Sequence, residues 1–356
     1  MHWMTLRRDA QGLVPVGDRY SLDLSEQKPA RGSVRAINPS RQQDAAPTTW
    51  MNLSLPVAPE DCPHCLASDA ADPVRRGQLY TFSCLAALDR PEGAESPRLG
   101  YLKADVDNLG MIFALGLRDG PPAGSDVYRT MMLSEALDRF FTEGLRALME
   151  TRSQLLYAVF SGGDDVYLIG GARHIAQFAL TLHEAFHEYT GYHEEMSLSA
   201  GVIFVPPHLS LALATARVEA ALQHAKNVPA QERRQQGQTA GRNQVAIGQV
   251  SLSWARYQAL WQEALMLSDW KKQGVLGGSA LHRLRQYAEY VGHRPAAERG
   301  AAWFPHIAYE IRRNFMDPTQ QSVRTWLMSY TDAEDPRLPL RIELFPLLVS
   351  LVNLLA

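Results

Sequence analysis

The stretch that decides the fold is Ser161-Gly162-Gly163-Asp164-Asp165-Val166-Tyr167-Leu168-Ile169-Gly170. An apolar run at 155–160 (LLYAVF) precedes it and Val166 to Ile169 follows, so it reads as a β-hairpin with its tip at the glycines. Two readings of the tip stand side by side. In one, Gly162-Gly163 is a tight-turn pair and the aspartates are the polar residues of a wet turn. In the other, the hairpin holds metal, because Mg²⁺ takes hard oxygen ligands and bridges carboxylates to phosphate. Adjacent strand residues point to opposite faces, so both aspartates reach one site only if the turn rotates one of them, and glycine permits that.

A second acidic run favours the metal reading. Leu99 to Ala104 is a candidate strand that ends on Asp105-Val106-Asp107-Asn108, and beside the hairpin it would bring Asp105 to Asp164 and Asp165. Between them, residues 126–149 carry Met131, Ala136, Leu137, Phe140, Phe141, Leu145 and Leu148 at the spacing of an amphipathic helix. The pattern after the hairpin predicts a helix over about 172–190, a strand over 196–205, a helix over about 210–226 and a closing strand over 243–247. The order βαββαβαβ is that of an α+β sheet with helices on one face. From Ser251 the chain turns helical and Trp-rich, with Trp254, Trp261 and Trp270 reading as core, and this predicts an all-α C-terminal domain.

The 356 residues are 46% apolar and 21% charged with a net charge of -3, the balance of a globular protein long enough for two domains. That balance argues against a generally basic nucleic-acid binder and leaves only a local basic groove or partners to hold nucleic acid. The start, MHWMTLRRDAQGLVP, lacks the apolar core of a secretory signal. The run from Leu344 to Ala356 is broken by Pro346, Ser350 and Asn353 and falls short of the roughly 20 residues of a membrane span, so it reads as a packed helix. Three cysteines fit a reducing compartment, and the expected location is cytoplasmic.

Several stretches in this order resemble one family: 102–110 (LKADVDNLG), 133–141 (LSEALDRFF), 160–165 (FSGGDD), 199–201 (SAG) and 224–226 (HAK). They are similar to the second palm domain of the large, polymerase-like subunit of type III CRISPR effector complexes, the Csm type especially. The related GGDEF cyclases end in a similar Ala-Lys and Gly-Arg-Asn, here Ala225-Lys226 and Gly241-Arg242-Asn243 with a longer insertion. The resemblance covers residues 96–356 and, more weakly, the cysteine segment. It implies a palm-type, ferredoxin-like or GGDEF-like antiparallel sheet over 98–250 and a helical domain over 251–356. Residues 1–50 are then a linker or β attachment segment, and 51–97 a degenerate zinc-ribbon-like segment.

The activity it implies is synthesis of cyclic oligoadenylate from ATP, a nucleotidyl transfer switched on by target RNA. By the same resemblance Asp105, Asp164 and Asp165 are catalytic and, with the Val106 carbonyl, hold Mg²⁺ or Mn²⁺. Gly162, Gly163, Asn108 and Lys226 contact the nucleotide. The implied partners are the other effector subunits, including the small helical subunit and the subunit that caps the crRNA 5′ end, with crRNA and target RNA held through the complex. No His-Asp dipeptide occurs in the chain, so the HD nuclease and first palm of that family are not expected in it. The resemblance thus implies a split or truncated large subunit whose first palm comes from a separate chain. Rival readings are a catalytically silent structural subunit and a stand-alone GGDEF-like cyclase.

Other signals compete. The family's zinc ribbon has two Cys-x-x-Cys pairs; here Cys62 and Cys65 form one, while Cys84 faces Ala87 where its mate would be. Cys62, Cys65 and Cys84 either bind structural zinc with an unnamed fourth ligand or mark a degenerate ribbon held by packing. His183-Glu184-Ala185-Phe186-His187 with His193 has protease-like histidine spacing. The helix, however, buries Ile175, Phe178, Leu182, Phe186 and Tyr189 on its other side, which leaves His183, Glu184, His187 and Glu188 on a solvated flank. Arg233-Arg234 reads as part of a loop.

Overall fold

The computed structural model describes residues 3–7, 14–16, 20–23, 33–36 and, from 55 onward, all but 69, 71, 92–95, 117–125, 153–154, 236 and 333. Four strands, β1 (Trp3–Arg7), β2 (Val14–Val16), β3 (Tyr20–Asp23) and β4 (Ser33–Ala36), form an antiparallel sheet in the order β2-β3-β1-β4. The rest of the attachment segment expected over 1–50 lies outside the described residues, as does the middle of the Pro/Gly/Glu/Ser stretch at 91–98. Short helices α1 (Pro63–Ala67) and α2 (Phe82–Leu88) follow and carry Cys65 and Cys84, with Cys62 capping α1.

A six-stranded sheet then organises the chain: β5 (Leu99–Val106), β6 (Leu156–Gly162), β7 (Asp165–Gly171), β8 (Leu198–Val205), β9 (Gln244–Ile247) and β10 (Val250–Ser253), in the order β10-β9-β8-β5-β7-β6. The α+β class and the helical C-terminal region are as expected, with three differences. The strand expected to close the sheet turns back at Gly248, φ +60°, into the unforeseen β10. The sheet is not wholly antiparallel either. β8 and β9 pair in parallel, because the helix between them returns the chain to the same end of the sheet.

Helices also cover both faces rather than one. Leu102, Ala104 and Val106 of β5 pack with α6 (Ala172–Tyr189), whereas the alternate residues Leu99 and Tyr101 pack with α7 (Leu211–Asn227). Both helices lie close. An added Cβ on Gly100 would sit 2.5 Å from Ile175 Cβ, and one on Gly201 would sit 2.3 Å from the backbone nitrogen of Leu222. The consequence for function is one of parity: the odd-numbered residues of β5, Lys103 and Asp105 among them, face α7.

The helical stretch between β5 and β6 is interrupted. After the short α3 (Leu109–Met111) come α4 (Asp126–Arg139), a π-helical turn at Phe140–Gly144, and α5 (Leu145–Arg152). The extra residue of a π-turn lets the consecutive Phe140 and Phe141 both enter the core against Phe186, at ring distances of 5.3 and 6.1 Å. Met131, expected inside, is exposed, and so is Tyr189, whose ring nonetheless packs at a tilt on Phe140 while its hydroxyl donates to the Ala136 carbonyl.

Beyond α8 (Gln231–Gln235) the C-terminal region comprises α9 (Trp254–Lys272), α10 (Gly278–Gly292), α11 (Ala296–Asn314), α12 (Gln321–Met328) and α13 (Leu338–Leu355). Trp254, Trp261, Trp303 and Trp326 are buried and Trp270 is half-buried, so the tryptophans are core. α9 is stitched to the sheet by Trp254 Nε1, which donates to the Leu198 carbonyl of β8 at 2.9 Å, and to α6 by the Tyr257 hydroxyl, which donates to the Ala176 carbonyl at 2.8 Å. α13 begins earlier than the apolar run suggests and, at 18 residues, is long and apolar enough by length and composition to cross a membrane. In this fold 61% of it is buried against its neighbours in the core.

Candidate active site

β5 and β7 run antiparallel with Asp105 directly opposite Asp165, and Gly162 of β6 pairs with Asp165 in turn. Gly163 and Asp164 form the two-residue tip. Gly163 has φ +68°, the positive value that primed hairpin loops require at their first position. The Asp164 carbonyl accepts from the Val106 amide at 3.0 Å, so the tip is tied to the end of β5. Residues directly opposite in an antiparallel pair share a face, and Asp105 and Asp165 therefore point together to the α7 side.

Their titration reflects this crowding. Burial, followed by the charges of Asp164 and Asp105, pushes the Asp165 carboxyl above the usual carboxylate range. Asp105 is also raised, first by burial and further by Asp164 and Asp107, against the opposing pull of Lys226. The Lys226 ammonium, in the last turn of α7, donates to Asp105 Oδ2. The lysine is thus no stray charge at a helix end: its side chain is only 20% exposed. The carboxylates of Asp105, Asp164 and Asp165 do not close to within 4.8 Å of one another. Their oxygens are nonetheless the hard donors Mg²⁺ prefers, and a Cβ on Gly163 would meet nothing within 4 Å, which leaves open space on the outer side of the tip.

Asp107 does a different job. It is fully buried and accepts from Ser197 Oγ (2.8 Å), Ser199 Oγ (2.7 Å) and the Asn243 amide (2.8 Å). That carboxylate ties the end of β5 to β8 and to the Gly241-Arg242-Asn243 loop. Gly241 crosses the C-terminal end of α7 so closely that a Cβ would sit 2.5 Å from the Lys226 carbonyl oxygen. The Arg242 amide donates to the Ala225 carbonyl, and Arg233, which lies in α8 and not in a loop, donates to the carbonyls of Arg242 (2.8 Å) and Asn243 (3.2 Å). The Gly-Arg-Asn loop therefore clamps the helix end that presents Lys226. Asn108 follows Asp107 in the left-handed region, φ 56°, which asparagine tolerates better than most residues, and it turns the chain into α3.

Three further groups at the site went unread in the sequence. Lys103, two residues before Asp105 on the same face, pairs with Glu219 of α7, whose carboxyl it holds low. The strand alternation Lys103-x-Asp105 was the available signal. Asp138 of α4 accepts from the Gly163 amide at 3.4 Å and adds a fourth acid beside the tip, a contact no local pattern announces.

Away from the hairpin, the sulfurs of Cys62, Cys65 and Cys84 are buried and form, among the described residues, the one group of three or more such ligand atoms lying within 4.8 Å of one another. The Sγ atoms of Cys65 and Cys84 are 3.3 Å apart. A hydrogen bond from the Val74 amide lowers the Cys65 thiol, while burial pushes that of Cys84 up to about 11. Three soft thiol donors suit zinc, and His64 does not join them. Glu184 and Glu188 are exposed on the expected flank, and so is His193, but His183 and His187 are half-buried. His183 stacks on Trp254 at 4.3 Å and on His187 at 5.4 Å, and burial lowers its pKa to about 4. The indole comes from the C-terminal helices, beyond the reach of a helical-wheel argument.

A palm-type sheet with an acidic hairpin facing an acidic strand end is the class this geometry defines. Residues 98–235 match the family model for Cas10/Cmr2, second palm domain. The chain is similar to two proteins described as CRISPR system single-strand-specific deoxyribonuclease Cas10/Csm1 (subtype III-A). That of Methanocaldococcus jannaschii is 28% identical over 170 residues, covering 44% of this chain and 20% of the relative. That of Enterococcus italicus is 33% identical over 135 residues, covering 36% and 17%. Among solved structures the fold resembles a Csm1-Csm4 cassette in complex with cA3 (TM-score 0.59, 16% identity, 100% of this chain and 48% of that one). It also resembles Csm1 of T. onnurineus (TM-score 0.56, 17% identity, 98% and 49%). The resemblance read from the sequence is borne out. The matched region spans about a fifth of these curated relatives and about half of the solved chains.

Proposed function

We propose that this chain is a subunit of a type III CRISPR effector complex and that its palm joins ATP into cyclic oligoadenylate. The observation that carries this reading is the register of β5 and β7, which sets Asp105 against Asp165 on the face where Lys226 waits, with Asp164 on the adjoining tip. Asp105, Asp164 and Asp165 would hold Mg²⁺ or Mn²⁺, with the Val106 carbonyl beside them, and the ion would neutralise phosphate charge as the reaction proceeds. The ribose 3′-oxygen of one nucleotide attacks the α-phosphorus of the next ATP. That P–O bond forms as the α–β bond breaks, pyrophosphate leaves, and the hydroxyl proton passes to solvent.

Lys226 exchanges its carboxylate partner for the triphosphate, and Gly163 leaves space for the phosphates at the tip. Asn108 faces the nucleotide from the turn after β5. The chemistry is positioning plus electrostatic stabilisation, which suits a site built from fixed carboxylates and one clamped lysine. On the same reading, residues 98–250 act as the palm and 251–356 as a helical docking domain for other subunits. A first palm supplied by another chain completes the second ATP site, and Cys62, Cys65 and Cys84 hold structural zinc.

The test is mass spectrometry of products formed from ATP and Mg²⁺ by the complete RNA-guided complex with target RNA. Cyclic oligoadenylate is expected from the wild-type assembly and none from an intact assembly carrying Asp164→Asn with Asp165→Asn. Product persisting in that variant would reject the assignment.

A further inference from the structure

A cleft separates the sheet from the C-terminal helices at the Leu99 and Val205 ends of β5 and β8. It lies about 20 Å along the strands from Asp105, at roughly 3.3 Å per residue. It consists of two cavities of about 640 Å³ each that share Arg98, Arg285 and Asn353 as lining. Four cations from four elements reach it: Arg98 just before β5, Arg217 of α7, Lys271 of α9 and Arg285 of α10. Among the described residues lining either cavity there is no aspartate or glutamate.

This is a marked segregation of charge in a chain of net -3. Arg285 keeps Glu289 as a partner at 2.8 Å, and the Lys271 ammonium donates to Asn353 Oδ1 (3.4 Å) and the Ala356 carbonyl (3.3 Å). Arg98 and Arg217 are exposed and, among the described residues, have no side-chain hydrogen bond or ion pair. Lys271 thus meets the terminal residue Ala356, which also lines the second cavity, so the unmatched positive charge rests on Arg98 and Arg217, and unpaired guanidinium groups are forks matched to phosphate.

We propose that this cleft binds the phosphodiester backbone of a single-stranded nucleic acid. The cations are spread along two joined cavities instead of converging on one point, which suits successive phosphates of a strand better than one triphosphate. Each cavity has the volume of a small-ligand pocket, room for about one or two nucleotide units. Gln249 and Asn353 offer neutral amides beside the cations, placed to meet sugar or base. The chain therefore holds a strand by itself, on a surface remote from the acidic hairpin and independent of any chemistry there.

The test is fluorescence anisotropy of a labelled oligouridylate with the full chain at low salt, in chelator so that the carboxylate site takes no nucleotide. Arg98→Glu with Arg217→Glu is expected to weaken binding by more than about tenfold and to lower the salt slope by about 1.4, the share of two phosphates on a single strand. The milder Arg98→Gln with Arg217→Gln should shift binding in the same direction by less. Arg76→Glu with Arg312→Glu makes the same change in net charge on exposed arginines away from the cleft and should leave affinity within about twofold. Equal binding of the matching deoxyribo-oligomer would place recognition in the backbone, and tighter binding of RNA would bring in the 2′-hydroxyls; either supports the cleft. Absence of wild-type binding, equal weakening by both reversal pairs, or displacement of the strand by equimolar ATP would overturn the proposal.

Discussion

Asp165→Asn should make the metal-free protein more stable, and the size of the gain follows from the register. Asp165 lies opposite Asp105 and next to Asp164, so its carboxylate meets two like charges, and with its burial these outweigh the opposing pull of Lys103 and Lys226. Two charges about 6 Å apart at an effective dielectric near 40 repel by roughly 1.4 kcal/mol. Solvent reaches Asp165 and screens this, and directly opposed like charges in sheets cost about 0.2–1 kcal/mol. The amide should therefore stabilise the chain by about 0.5–1 kcal/mol, a rise of roughly 1–3 °C in Tm.

The sign with pH is defined by the raised carboxyls of Asp105 and Asp165. A carboxyl held above its unfolded value adds stability while protonated at low pH, and loses it as pH rises through the folded value. The advantage of the amide should thus vanish in acid and open toward neutrality. Added Mg²⁺ should raise Tm of the wild type and have much less effect on the variant. Scanning calorimetry with and without Mg²⁺ reads all of this. A variant less stable than wild type at neutral pH without metal, or one stabilised by Mg²⁺ as strongly as wild type, would refute the argument that these carboxylates are a strained, metal-seeking set.

Asp107→Ala leaves two serine hydroxyls and the Asn243 amide without their buried acceptor, and it should cost about 3 kcal/mol or more in denaturant unfolding. A loss below about 1 kcal/mol would show that the carboxylate is not what ties β5 to β8 and the Gly-Arg-Asn loop. For His183, an NMR titration should give a midpoint near 4, and a midpoint near 6.5 would mean that the imidazole is not sheltered under Trp254. Protein purified with zinc should carry about one equivalent by elemental analysis and lose Tm on chelation, whereas Cys84→Ser should carry much less. Equal zinc in both would remove Cys84 from the ligand set.

Features that depend on near neighbours along the chain are legible in the amino-acid sequence. Two glycines between apolar runs signal a hairpin tip because a two-residue loop needs positive φ, and Gly163 supplies it. Helix periodicity locates α6 and α7 to within a residue or two, because burial of one face repeats every turn. Misread features have a common cause in contacts between distant segments. The placing of α7 on the face opposite α6 depends on the parallel return to β9, and with it the meeting of Lys226 with Asp105. The π-turn that buries Phe140 and Phe141 together answers to Phe186, across the core.

Likewise, Arg233 looks like loop charge until Asn243 is seen beside it, and His183 looks solvated until Trp254 covers it. The amino-acid sequence by itself determined the hairpin, the acidic strand end and the helical C-terminal region, since each is written in local turn chemistry and periodicity. Only the tertiary structure decided which carboxylates face one another, which lysine answers them and where four unpatterned cations gather into a cleft. Those arrangements arise from strand register and helix docking, and both are set by burial between residues far apart along the chain.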